Sequence, residues 1–172
     1  MMIRKGKVYD DKVSKIKINE KFLSSAYEPM KAIIAYYGLK AGTECWWEND
    51  EPTEKYDNLE CLLTKPLKIG FQCSNEHINI VKKWFKDEPK IMNDDYKKPD
   101  NCAASPETAT IQSTYNYINL TRNSNVVSIS YEKSGFNMRE ENDGAWSFVG
   151  KDVFEIQEDT IKLISSEGEI KK

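Results

Sequence analysis

The sequence is short of the residues on which most enzyme active sites are built. It has one histidine, His77, and only 8 glycines. It contains no phosphate-cradling glycine loop, no GxSxG and no HExxH. These lacks argue against P-loop phosphoryl transfer, α/β-hydrolase chemistry and zinc-peptidase chemistry. No apolar run approaches the roughly 20 residues of a membrane-spanning helix. The opening MMIRKGKVYDDKV is charged with no apolar core behind it, so no signal peptide is expected. That fits a cytoplasmic chain, or a periplasmic or exported one from which a leader has been trimmed. Neither sign of charge dominates: 25 basic and 28 acidic side chains give a net −3. Nucleic acid is therefore not the expected partner, since phosphate binding needs a dominant basic face. Internal repeats and low-complexity tracts are absent as well.

Four cysteines, Cys45, Cys61, Cys73 and Cys102, occur without a Cys-x-x-Cys pair. Three disulfide pairings are open to them. Cys45–Cys61 would close an acidic segment, and Cys73–Cys102 would tie a helix start to the loop beyond it. Reduced, buried thiols are the alternative, because a chain this long does not need such staples. A zinc site would have to gather Cys61, Cys73, His77 and Cys102, whose spacings contain no close pair. No metal and no cofactor are expected.

At 172 residues and 19.9 kDa the chain has the size of one domain, 1–172. Hydrophobic residues make up 39% and charged residues 31%, the balance of a soluble globular protein. Its Lys, Asn and Ile content has the look of a small bacterial protein. The expected fold is α+β, with two main helices in residues 1–88, a loop over 89–107 and an antiparallel β-meander over 108–165. The best-marked helix follows Ser74, a good N-cap. His77, Ile80, Val81, Trp84 and Phe85 form its apolar face, and Asp87-Glu88-Pro89 ends it. An earlier helix spans Ala26 to Tyr37, with Pro29 in its first turn, Gly38 at its left-handed end and Met30, Ile33, Ile34 and Tyr37 buried. Leu59 to Leu67 reads as a short strand or a helical turn.

The meander is read from alternation. Five short strands are centred on Tyr115, Ile129, Trp146–Phe148, Phe154–Ile156 and Ile161–Leu163, with Asn123-Ser124-Asn125 as a turn. Residues 3–9 and 13–18 suggest an N-terminal hairpin around Asp10-Asp11 that adds to the sheet. The polar tail from Glu167 to Lys172 is expected to fray. Asn119-Leu120-Thr121 matches a glycosylation acceptor, a triplet common by chance.

Charge is unevenly distributed along the chain. Arg4, Lys5, Lys7, Lys12, Lys15, Lys17 and Lys21 crowd the first residues. Glu44, Glu48, Asp50, Glu51, Glu54, Asp57 and Glu60 crowd residues 44–60, where Lys55 is the one basic side chain. The acidic block opens on Trp46 and Trp47, which cannot both point inward from a strand. Aromatic anchors beside orienting carboxylates are the composition of a binding hot spot. A solvated acidic loop is the plainer alternative. The functional expectation is a non-enzymatic protein-binding protein, a small inhibitor or immunity-type protein that neutralises a toxin or enzyme. Trp46, Trp47, Glu48, Asp50, Glu51, Glu54 and Asp57 would occlude a basic active-site surface on the target. One alternative is a cysteine enzyme with Cys73 as nucleophile at a helix N-terminus and His77 as its base. Another is a carbohydrate- or ligand-binding module that uses the aromatic face of the meander.

Overall fold

The computed structural model describes residues 2–5, 16–39, 47–48, 51–52, 59, 63–70, 74–92, 111–137 and 145–171. The fold is α+β, with helices in the N-terminal half packed on an antiparallel sheet. Helix α1 (Glu20–Ser25) starts at Asn19, whose side chain accepts from the Phe22 N–H at 3.0 Å. Helix α2 (Glu28–Leu39) carries Pro29 in its first turn, as its fixed φ favours. Gly38 does not end α2 in a left-handed turn; it lies inside the helix, which runs on to Leu39. Every residue from Ala32 to Leu39 is buried, so α2 is an interior helix rather than one with a single apolar stripe.

Of the Leu59 to Leu67 stretch, Thr64–Leu67 forms the short helix α3. Helix α4 (Asn75–Trp84) is capped by Ser74, whose Oγ accepts from the His77 N–H at 3.2 Å. It packs against α2. Pro89 opens a further short helix, α5 (Pro89–Met92), where a loop was expected, because proline suits a first helical turn.

The main sheet has six strands in the order β2-β1-β5-β6-β7-β8, every neighbouring pair antiparallel. Strands β1 (Met2–Lys5) and β2 (Ile16–Lys17) form the N-terminal hairpin, and β1 pairs with β5 (Ile111–Asn123). Strands β6 (Val126–Asn137), β7 (Ala145–Ile156) and β8 (Ile161–Lys171) complete the meander. It therefore has four long strands, not five short ones. The two strands expected around Trp146 and Phe154 are one, because Gly150 and Asp152 continue it instead of breaking it. The tail does not fray at Glu167 either: β8 extends to Lys171.

Gly150 persists within the strand because the Tyr131 ring lies across it, where a Cβ would collide. Gly168 in β8 is covered in the same way by Phe148. Aromatic rings laid over strand glycines supply the packing that glycine lacks. Behind them, Tyr36, Tyr37, Phe85, Tyr115, Tyr131 and Phe154 meet mostly edge-to-face, as in Tyr37 on Tyr131 at 5.5 Å between centroids. Such pairs each contribute roughly 0.5–1.5 kcal/mol beyond the area they bury.

The far end of α4 is tied to the β7–β8 hairpin. The Thr160 hydroxyl donates to the Trp84 carbonyl at 3.2 Å, and Lys162 Nζ donates to the Asp87 carbonyl at 2.8 Å. Glu88, buried, accepts the Leu163 N–H at 3.0 Å through one carboxylate oxygen and the Lys90 N–H at 3.3 Å through the other.

Candidate functional site

Within the acidic, aromatic segment, four described residues form a small two-stranded sheet. Strand β3 (Trp47–Glu48) pairs antiparallel with β4 (Glu51–Pro52), apart from the six-stranded sheet. The register sets Trp47 opposite Pro52 and Glu48 opposite Glu51. Like charges at directly opposed positions oppose pairing by roughly 0.2–1 kcal/mol, and a lone two-stranded ribbon is marginal already. Of the residues proposed to bind a partner, Trp47, Glu48 and Glu51 lie in this ribbon. Trp46, Asp50, Glu54 and Asp57 lie outside the described residues, as do all four cysteines.

His77 sits in the core with no exposed surface. Its Nε2 is 2.8 Å from the Ala35 carbonyl of α2 and donates to it, which makes Nε2 the protonated nitrogen of a neutral ring. Burial lowers its pKa to about 4, against the smaller upward pull of that carbonyl. The side chain thus ties α4 to α2, and Nε2 is committed to this bond rather than open as a base. Cys73, its proposed nucleophile, is outside the described residues.

Sequence reasoning passed over a buried polar centre at Asp152. This residue is 1% exposed and stands in β7 between Ile129 of β6 and Ser166 of β8. The Tyr37 hydroxyl donates to its Oδ2 at 2.5 Å and the Ser166 hydroxyl to its Oδ1 at 2.7 Å. Desolvation, then the charge of Asp152, raises the Tyr37 pKa well above the usual phenol value. Tyr131 is raised by the same two causes in the same order. Both phenols stay protonated at ordinary pH, as hydrogen-bond donors. The sequence does hold a signal for Asp152: it shares the inward alternation of Gly150 and Phe154. Its chemistry is that of an acceptor joining α2, β7 and β8.

Among the described residues, no group of three or more His, Cys, Asp or Glu side chains is arranged to hold a metal ion. Among them, too, no helix is long and apolar enough to cross a membrane. Comparison of the chain with protein-family models, curated proteins and solved structures returns no match in any of the three.

Proposed function

We propose that this chain is a non-enzymatic protein-binding protein whose docking element is the β3–β4 ribbon and its acidic flanks. The observation that carries the reading is the register that opposes Glu48 to Glu51 one position from Trp47. A ribbon that sets like charges against each other gives up stability of its own. A basic partner surface would relieve that repulsion, and the tryptophan beside it supplies apolar area for a pocket. Acting as an inhibitor or immunity-type protein, the chain would occlude a basic active site, with carboxylates steering the encounter and the aromatic group holding it. Two features weigh against the alternatives. Among the described aromatic residues of the meander, Tyr115, Tyr131 and Phe154 are buried in the core and offer no face to a sugar, which leaves only the half-buried Tyr117, Trp146 and Phe148. His77 Nε2 is engaged by Ala35.

The test begins with a photoreactive residue in place of Asn49, used to crosslink and identify the partner in cells. The affinity of Trp47→Ala/Asp50→Ala/Glu51→Ala for that partner is then compared with the unaltered chain. A loss of about 100-fold or more is expected, the size of a hot-spot deletion, together with an association rate that falls with salt. An unchanged affinity would overturn the assignment.

A further inference from the structure

The two edges of the main sheet are unequal. One is the two-residue strand β2, too short to recruit another chain. The other is β8, 11 residues long, with no strand beyond it among the described residues. A free edge of that length is a template on which a strand of another copy can pair. Three features of β8 oppose such pairing.

The first is a carboxylate standing where a strand would lie. Buried Glu88 accepts the Leu163 N–H at 3.0 Å through Oε2, so an incoming strand finds that donor taken. Beside it, Lys162 Nζ donates to the Asp87 carbonyl at 2.8 Å. The second is an inserted residue. Leu163 stands opposite Phe154 and Ser165 opposite Val153, which leaves Ile164 with no residue of β7 to face. Such a bulge interrupts the row of outward N–H and C=O groups and twists the edge, so one straight strand cannot follow both halves. Ile164 is 57% exposed, so the insertion does not serve the core. The third is charge: beyond the bulge, exposed Glu167 and Glu169 lie two residues apart on one face.

We propose that Glu88 and the Ile164 bulge form an edge guard, which keeps β8 from adding a strand of a second copy and so keeps the chain monomeric. The register itself supplies the test. With Ile164 removed, Leu163 still stands opposite Phe154 and Ser165 opposite Val153. Leu163 and Ser165 become neighbours that face opposite sides of the sheet, as an unbroken strand requires. The deletion therefore straightens the edge while every side chain of β8 keeps its present face.

Sedimentation equilibrium of the full chain under reducing conditions, from about 1 μM to about 1 mM, covers the range where weak interfaces dissociate. The unaltered chain is expected to stay monomeric throughout. Deletion of Ile164 should leave the melting temperature unchanged or higher, yet bring self-association within this range. Adding Glu88→Ala to the deletion should tighten that association about tenfold or more, and amide exchange over Ser165–Ile170 should slow as it forms. Glu88→Gln in the bulged chain keeps a side-chain oxygen for the Leu163 N–H and should remain monomeric. Tyr37→Phe removes a buried hydrogen bond away from the edge and serves as the control for lowered stability. A folded Ile164 deletion that stays monomeric overturns the proposal. So does an unaltered chain that already associates through β8, or a Tyr37→Phe chain that associates as strongly as the deletion.

Discussion

Tyr37 and Asp152, 115 residues apart in the chain, meet in the core through a 2.5 Å hydrogen bond from the phenol to Oδ2. The bond fixes the C-terminal end of α2 over the centre of β7. Tyr37→Phe keeps the ring and its edge-to-face contacts but removes the donor. It should lower unfolding stability by about 1–3 kcal/mol, the cost of removing one partner of a buried polar group. Urea denaturation of the two chains measures it. A Tyr37→Phe variant as stable as the original would show that the bond contributes nothing.

His77 makes stability depend on acid. Its folded-state pKa is about 4, below the ordinary histidine value of 6.5. Between those two values the unfolded chain binds the proton and the folded chain does not. Its contribution is therefore fully present above about pH 6.5 and lost as pH falls towards 4, an effect of about 3 kcal/mol. His77→Gln keeps a donor near Ala35 but cannot titrate, so its stability should fall less over that window. Parallel slopes for the two proteins between pH 7 and 4 would remove His77 as the cause.

The two ring-covered glycines should respond unequally to a methyl group. Alanine at Gly150 must displace the Tyr131 ring, which is 3% exposed and held among other aromatics. A cost of about 1–3 kcal/mol is expected, as for other overpacked cores. Alanine at Gly168 meets Phe148, which is only half-buried and has room to swing outwards. Thermal melts should rank Gly150→Ala clearly below Gly168→Ala, and the reverse order would contradict the packing described.

Glu88 joins the end of α4 to the edge of the sheet. Glu88→Ala leaves the Leu163 and Lys90 N–H groups without that carboxylate. Stability should fall by about 1–3 kcal/mol, and amide exchange at Leu163 should accelerate more than at Ile129 in the sheet interior. Equal acceleration at both would mean general loosening, not a local tie.

The helices were legible where capping and periodicity agreed. Ser74, with the apolar positions behind it, located α4, and Pro29 located the start of α2. Alternation located the sheet strands but misjudged their length, dividing β7 into two strands on either side of Gly150 and Asp152. What keeps both in β7 is tertiary: a ring from β6 over one, and hydroxyls from α2 and β8 on the other. The polar run after Leu163 misled for a related reason. An edge strand bonded on one side only needs little apolar patterning, so Glu167 to Lys171 resembled a loose tail. Of the candidate site, the pairing of Glu48 with Glu51 was hidden for want of alternation in so short a ribbon.

The distance between Tyr37 and Asp152 also sets an order of events during synthesis. Helix α2 leaves the ribosome with apolar residues on every side, yet the strands that cover it are made long afterwards. Until β7 emerges, Tyr37 has no acceptor in Asp152 and α2 has little sheet to lie on. Folding of this chain is therefore completed late, by its C-terminal strands. Until then the apolar surface of α2 has no sheet to cover it.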